Sequence, residues 1–282
     1  MLIPLGLLLG VMVLWGIVRM RSALIQAASN QDRIQVFDDN DIRYLCFNGA
    51  KAFPQSCLRL SAPHQLVSSY SKLLMAALFI SPTPSTLLVI GLGGGILPMT
   101  FRRLLPMAHI TIVELDPDIA QAAMDHFNFL EDSLMHVTLM DGRAFVQTAQ
   151  QNHREYDLII LDAFDEVYIP KHMMSTEFLT EVKAITATGG IVASNTFVRS
   201  AFYDQETENH HSVFGDVYTL RSDTNRIIFA GAGELPDFEN LAANAILLED
   251  EFLSLGINAQ EMAGMIRMKN GEILDPARGQ LL

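Results

Sequence analysis

The residues best placed to do chemistry are a group of glycines and a carboxylate that follows them. Gly91, Gly93 and Gly95 come directly after the apolar residues 87–90, which are typical of a buried parallel strand. Glycine lets the backbone turn tightly and approach a ligand closely. Glu114 follows Gly91 at close to the spacing of about 20 residues at which a second strand delivers a carboxylate to ribose hydroxyls. The pattern predicts a site for a nucleoside-containing cofactor, although a glycine turn in an ordinary α/β protein is the alternative.

Further carboxylates follow two later apolar runs. Asp141 and Gly142 end one run, and Asp162 and Asp165 end the next. Ligands of open α/β sheets bind beyond the carboxyl ends of the strands, so these side chains should lie near the glycines. A carboxylate there could take a proton from an attacking amine, and a second could favour a cationic substrate. The alternative for Asp162 and Asp165 is a turn or a helix cap after the strand.

The elements that must position these residues alternate between strand and helix. Strands are predicted near residues 87–91, 109–115, 136–140, 157–161 and 189–195, with helical stretches such as 117–127 and 176–187 between them. This alternation favours a parallel sheet with helices on both faces. Residues 213–221 and 226–230 are separated by a turn too short for a parallel crossover, so an antiparallel pair is predicted. Upstream of the sheet, residues 63–80 are predicted to be helical.

The N-terminus differs from that of an ordinary globular chain. Residues 2–18 carry no charged side chain and reach the short limit for a membrane span, and Arg19 and Arg21 follow them. The positive-inside rule then predicts a single-span anchor over residues 1–21 with the catalytic domain in the cytoplasm. A signal peptide or a buried helix is the alternative. The other predicted boundaries are a small β unit at 31–61, a transferase domain that binds the nucleoside cofactor at 62–234 and a helical tail at 235–282.

Composition and charge exclude some classes of function. The net charge of −13 argues against a nucleic acid partner, which would need a basic surface. The two cysteines form no metal or redox motif. A last cluster contains acidic and histidine side chains, but its spacing favours a solvated acidic loop over a metal site: Glu206, Glu208, His210 and His211.

The strand-end motifs, in this order, resemble the spermidine synthase family, the polyamine aminopropyltransferases. The resemblance covers roughly residues 31–231 and implies the Rossmann-like fold of class I methyltransferases, with a seven-stranded, mostly parallel sheet after a small β unit. It also implies a homo-oligomer and a role for the strand-end residues in binding decarboxylated S-adenosylmethionine. The implied cofactor contacts are the glycine loop with Gly91, Gly93 and Gly95, the ribose ligand Glu114, and the adenine contacts Asp141 and Gly142.

The same resemblance assigns the reaction to the strand that precedes Asp162. It implies that Asp162 accepts the proton of the attacking amine, that Asp165 lies beside it and that Tyr70 belongs to the amine site. The sulfonium supplies the leaving group, so no metal is expected. Two features depart from the family: Gly94 stands where the family has an aspartate for the aminopropyl amine, and Lys72 stands in the run that holds the amine substrate. A lysine there would repel a cationic acceptor.

Further substitutions in that run point the same way. Leu66, Val67 and Ser71 occupy positions at which the family has polar or acidic residues. The prediction is therefore a membrane-anchored group transferase that uses decarboxylated S-adenosylmethionine or S-adenosylmethionine, with aminopropyl transfer to a small-molecule amine as the first reaction. A methyltransferase with another acceptor, or a cofactor-binding protein without activity, is the alternative. A dinucleotide dehydrogenase is disfavoured because Ile96 replaces the third glycine of its motif.

Overall fold

The chain forms a small sheet followed by a large one. The computed structural model describes residues 34–47, 54–164 and 168–268, and within them a three-stranded sheet precedes an eight-stranded sheet. The small sheet is antiparallel and contains β1 (Ile34–Asp39), β2 (Ile42–Phe47) and β3 (Ser56–Arg59) in sequence order. These strands fall within the predicted unit 31–61, whose boundaries stay a prediction.

The large sheet carries the predicted strand-end residues. Its strands in the described part of the chain are β4 (Thr86–Ile90), β5 (His109–Glu114), β6 (Met135–Leu139), β7 (Tyr156–Leu161), β8 (Thr186–Phe197), β9 (Val217–Arg221), β10 (Asn225–Gly231) and β11 (Arg267–Met268). Their spatial order is β11-β9-β10-β8-β7-β4-β5-β6. The five neighbouring strands β8, β7, β4, β5 and β6 are paired in parallel. The predicted Rossmann-like, mostly parallel sheet is confirmed. It has one strand more than predicted because the two-residue β11 pairs with β9 at the edge.

The predicted antiparallel pair is the β9–β10 hairpin. β10 lies between β8 and β9 and runs antiparallel to both. The hairpin turn therefore returns to the edge of the sheet at which the parallel strands end. As a result, Asn225 at the start of β10 faces Phe197 at the end of β8 in the strand register.

Helices cover both faces of the large sheet. They are α1 (Ser69–Leu74), α2 (Ala77–Ile80), α3 (Ile96–Leu104), α4 (Pro117–His126), α5 (Gly142–Gln151), α6 (Thr176–Ala184), α7 (Tyr203–Phe214), α8 (Phe238–Leu247), α9 (Glu249–Ser254) and α10 (Ala259–Ala263), and Lys171–Met173 forms a short 3₁₀ turn. The helix predicted over 63–80 is instead the two short helices α1 and α2. The segment around Glu206, predicted to be a loop, lies in α7.

The central strand β4 shows why the sheet is buried on both faces. Leu87 and Val89 pack into one apolar cluster, and Leu88 and Ile90 pack into another on the opposite face. Successive side chains of a strand point to opposite faces, so an unbroken apolar run satisfies both clusters. The run ends at Gly91, where the chain leaves the core and enters the cleft described below.

The predicted membrane-anchored localisation is corrected by the structure. None of the helices in residues 34–47, 54–164 and 168–268 has the length and apolar character needed to cross a bilayer. The stretch 2–18, on which the prediction rested, lies outside these described residues.

Candidate active site

A deep cleft opens at the carboxyl ends of the parallel strands. Its volume is about 1140 Å³, and its walls come from the ends of β4 to β8, the β9–β10 turn and the region from β3 to α1. Pockets that hold one drug-sized ligand usually measure about 300–1,000 Å³. The cleft therefore has room for two ligands, a donor and an acceptor. Eight of the nine predicted site residues are described, and Asp165 is the one that lies outside the described part of the chain.

Gly91 fixes the relation between the glycine loop and Asp162. Its φ of +102° lies in the region that favours glycine, and a Cβ at this position would overlap the carbonyl oxygen of Asp162. The amide N–H of Asp162 donates to the carbonyl of Ile90 at 2.9 Å. The ends of β4 and β7 can approach this closely only because residue 91 has no side chain.

The other loop glycines have different surroundings. Gly93 lines the cleft, as predicted, whereas Gly95 is not among the cleft residues and begins α3 against the ring of Phe129. Gly94 is buried, and its N–H donates to the hydroxyl of Ser56 in β3 at 2.7 Å. This hydrogen bond joins the small sheet to the loop.

The space beside Gly94 is already occupied. A Cβ at this position would lie 2.9 Å from the ring of Phe127 and 3.0 Å from the Cβ of Ser56. Both distances are tighter than ordinary carbon–carbon contacts of about 3.5–4.0 Å. An aspartate at residue 94 would therefore require these neighbours to move. Gly94, which stands where the family has an aspartate, is thus closely packed against Phe127 and Ser56.

Glu114 sits at the end of β5 and braces the loop. Its two carboxylate oxygens accept the N–H groups of Leu92 and Asp116, each at 2.9 Å. A carboxylate can accept about four hydrogen bonds, so the same group can support the loop and bind hydroxyl groups in the cleft. The next carboxylate along the chain, Asp116, caps α4 by accepting the N–H of Asp118 at 3.0 Å.

Asp141 and Gly142 lie at the end of β6 and line the cleft. Asp141 is the N-cap of α5, and its carboxylate accepts the N–H of Ala144 at 2.9 Å. This strand-end carboxylate therefore has a structural role. Its other oxygen lies 3.3 Å from Nε2 of His172, which also lines the cleft. A Cβ on Gly142 would lie 2.6 Å from Ile90, so the packing of α5 on β4 requires glycine.

Asp162 is one of the carboxylates that line the cleft. It follows β7, and the amide of Asn195 in β8 donates to it at 2.8 Å. Asn195 in turn accepts a hydrogen bond from the amide of Asn225 at 3.0 Å. Burial raises the pKa of Asp162 to about 7, and the Asn195 hydrogen bond acts in the opposite direction. A carboxyl with a pKa near neutrality suits proton transfer at physiological pH.

Tyr70 in α1 lines the same cleft as Asp162. Its hydroxyl donates to the carbonyl of Gln55 at 2.9 Å. Burial raises the pKa of Tyr70 well above its usual range, and the nearby charge of Asp162 adds to the effect. The phenol therefore stays protonated and acts as a hydrogen-bond donor.

The predicted repulsion of an acceptor by Lys72 stays a prediction, and the structure places this residue outside the lining of the cleft. Its ammonium donates to the carbonyl of Gly256 at 3.2 Å. Of the neighbouring positions, Leu66 is buried in the core and Val67 lines the cleft. Among the described residues 54–70, those that line the cleft are therefore apolar or neutral.

The end of the cleft beside β8 also contains residues that were not predicted. Phe164 and Phe197 provide aromatic surface, and Arg199, Asp223 and Thr224 lie near the β9–β10 turn. Asn195 and Phe197 could have been suspected because they end β8, as the predicted carboxylates end their strands. The residues of the turn carry no comparable sequence signal.

The acidic and histidine cluster is solvated only in part: Glu208 is exposed, whereas two other members are buried. Glu206 and His210 are buried on α7, and Glu206 pairs with the buried Arg226 at 2.7 Å. His210 lies 2.8 Å from the hydroxyl of Ser194, and burial lowers its pKa to about 4. In residues 34–47, 54–164 and 168–268, no group of three or more possible metal ligands is found.

The fold and the strand-end carboxylates define a transferase with the class I methyltransferase fold, and sequence comparison gives the family. Residues 68–219 match the family model described as spermine/spermidine synthase domain. A polyamine aminopropyltransferase of Vibrio vulnificus (strain CMCP6) is 32% identical over 241 residues, which are 84% of this chain and 81% of that protein. The chain belongs to the spermine/spermidine synthase family, and it is a transferase.

Solved structures agree with this fold. A probable spermidine synthase from Corynebacterium glutamicum ATCC 13032 has a TM-score of 0.65 at 19% identity, covering 82% of this chain and 90% of that one. Human methyltransferase-like protein 13 in complex with SAH has a TM-score of 0.62 at 25% identity, covering 66% of this chain and 93% of that one. The similar proteins thus include aminopropyl and methyl transferases. The predicted homo-oligomer finds no support in these matches.

Proposed function

We propose that the protein transfers the aminopropyl group of decarboxylated S-adenosylmethionine to an amine. The observation that carries the proposal is Asp162, a carboxyl with a pKa of about 7 held by Asn195 beside the glycine loop. The second support is the match to an aminopropyltransferase over 84% of the chain. When bound, the donor supplies a sulfonium leaving group, and the residues of the chain must bind it, orient the amine and move a proton.

The donor half of the cleft fits a nucleoside. Gly91 and Gly93 line the cleft, and their lack of side chains lets the loop pack closely against Asp162 and Ser56, while Gly95 shapes the start of α3. Glu114 would accept the ribose hydroxyls from the end of β5. Asp141 and Gly142 would contact the adenine from the start of α5. Of the glycines and the proposed donor contacts, all except Gly95 line the same cleft.

The acceptor half fits an amine nucleophile. An ammonium has no lone pair, so the carboxylate of Asp162 must take a proton before the nitrogen attacks. The nitrogen then forms a bond to the carbon attached to the sulfonium, the carbon–sulfur bond breaks, and its electron pair stays on sulfur. Tyr70 would orient the amine from α1. Asp165 is proposed, on the family resemblance alone, to favour binding of the cation.

The test compares the two donors and one variant. Calorimetric titration should show binding of decarboxylated S-adenosylmethionine, and mass spectrometry should show an aminopropyl adduct on a diamine such as putrescine. Asp162→Asn should leave donor affinity unchanged and slow transfer by roughly 10²-fold or more, the range for a general base. Full transfer by this variant would contradict the role of Asp162.

Methyl transfer from S-adenosylmethionine is the second candidate, and one observation favours it. The wall formed by Ser56 and Phe127 beside Gly94 leaves no space for the carboxylate that would bind an aminopropyl ammonium. Tighter binding of S-adenosylmethionine than of its decarboxylated form, with methylated product, would select this reaction. The donor and acceptor roles of Glu114 and Asp162 would be the same in both.

A further inference from the structure

A buried ion pair lies behind the end of the cleft beside β8. Arg226 is fully buried and Glu206 nearly so, and their side chains pair at 2.7 Å. Arg226 also donates to the hydroxyls of Thr196 at 3.0 Å and Thr207 at 2.8 Å, and its guanidinium lies 3.6 Å from the centre of the Tyr203 ring. The arginine is therefore held from several sides.

Such a pair is costly, so its position calls for an explanation. Removing two charges from water often costs more than their attraction returns, and an apolar pair of similar size would serve stability equally well. None of the groups that move a proton or bind the donor contacts this pair directly. Glu206 also accepts a long hydrogen bond from the hydroxyl of Ser200 at 3.4 Å, and its nearer hydroxyl partner points to a role.

That partner is Tyr168. Its hydroxyl donates to Glu206 at 2.5 Å, and it also accepts the backbone N–H of Phe197 at 3.3 Å. Burial, together with Glu206, raises the pKa of Tyr168 to about 12, so the hydroxyl remains a donor. The hydroxyl thus connects the ion pair to the last residue of β8.

The ring of Tyr168 supports the aromatic wall of the cleft. Its centroid lies 5.3 Å from that of Phe197 and 6.0 Å from that of Phe164, and these two rings stack at 5.1 Å. Phe164 and Phe197 line the cleft, whereas Tyr168 stands behind them. Phe197 follows Asn195 by two residues, so both point to the same face of the sheet, toward Asp162.

We propose that Tyr168, held by Glu206 and Arg226, is a positioning residue that fixes the aromatic acceptor wall formed by Phe164 and Phe197. The inference rests on the proposed function, because the wall serves a cationic amine acceptor. Aromatic faces attract ammonium groups and shield them from water. The wall thereby holds the amine opposite Asp162, and the buried pair acts on acceptor binding without touching the acceptor.

The test removes one hydroxyl and keeps every ring. Tyr168→Phe abolishes the hydrogen bond to Glu206, and Tyr218→Phe is the matched control. Tyr218 is also buried, and its hydroxyl donates to the carbonyl of Pro236 at 2.9 Å, away from the cleft. Both variants lose one tyrosine hydrogen bond, so the loss of folding stability in Tyr218→Phe measures the general effect of that change. An effect seen only in Tyr168→Phe then belongs to the cleft.

Two measurements then decide the proposal. The first is amide hydrogen exchange at Phe197, which needs no substrate: protection should fall in Tyr168→Phe and stay unchanged in Tyr218→Phe. The second is steady-state transfer with putrescine as the probe. The KM for putrescine should rise by roughly 2- to 30-fold, the range for a weakened cation–π contact, with kcat and donor affinity retained.

Each way in which the proposal could fail gives a different experimental result. Unchanged exchange at Phe197 in Tyr168→Phe would overturn the anchoring of the wall, whether or not the wild type is active. Altered exchange with an unchanged KM for putrescine would overturn its role in acceptor binding. A wild type that transfers nothing from either donor would refute the proposed function, and the exchange result would still decide whether Tyr168 fixes the wall.

Discussion

Asp162→Asn is expected to stabilise the fold at alkaline pH while it removes most of the activity. In the folded chain, burial raises the pKa of this carboxyl to about 7, whereas in the unfolded chain it titrates near its ordinary value of about 4. As pH rises between these values, the unfolded chain loses the proton first. Stability therefore falls through this window, because ionised Asp162 is disfavoured only in the folded state.

The size of the effect follows from the two pKa values. A difference of about three pH units corresponds to about 4 kcal/mol at full ionisation, of which about 2–3 kcal/mol develops between pH 5 and pH 8. Asp162 borders the cleft, so water screens part of its charge and about 1–3 kcal/mol is expected. Asparagine carries no charge at any pH and should avoid this penalty.

The assay is urea unfolding at pH 5 and pH 8. The advantage of Asp162→Asn over the wild type should grow by about 1–3 kcal/mol between the two conditions. Asp125→Asn changes an exposed aspartate of α4 and serves as the control for the aspartate-to-asparagine change itself. A difference between wild type and Asp162→Asn that is the same at both pH values would refute the reasoning.

Three further changes test other parts of the cleft. Glu114→Ala should weaken donor binding by ~1–3 kcal/mol in calorimetry, because the ribose hydroxyls lose their hydrogen-bond acceptor. Wild-type affinity for the donor would contradict the ribose assignment. Asn195→Ala should move the acidic limb of the rate–pH profile to higher pH, since the Asn195 hydrogen bond favours ionised Asp162. An unmoved limb would mean that Asn195 does not control the ionisation of the group that limits the rate. Lys72→Gln should leave the KM for putrescine unchanged, because Lys72 binds the carbonyl of Gly256; a lower KM would mean that Lys72 does repel the acceptor.

The strand-end residues could be placed in the cleft from the sequence because their positions depend on local rules. An apolar run that ends in glycine predicts both the buried strand β4 and the loop after it. Carboxylates that follow successive parallel strands must meet at one edge, so Glu114, Asp141 and Asp162 reach the same cleft. No knowledge of distant contacts is needed for these placements.

The acceptor half depends on contacts that no local pattern encodes. Asn195 and Asn225 meet only through the antiparallel register of β8 and β10. Lys72 could not be placed because α1 has six residues, too few for periodicity to fix which side faces the cleft. The spacing of the cluster around Glu206 predicts a solvated loop, and it cannot reveal the buried partner Arg226, which lies twenty residues away along the chain.

The order of the strands has a consequence for how the family can diversify. On the proposed assignment, everything that would hold the donor follows β4, β5 and β6, in the first half of the chain. On the other side of β4 in the sheet, the residues proposed to meet the acceptor lie after β7, after β8 and in the β9–β10 turn. Mutations after about residue 160 could then change the acceptor while the donor site is inherited intact. A single ancestral nucleoside site could in this way give rise to transferases that act on different acceptors.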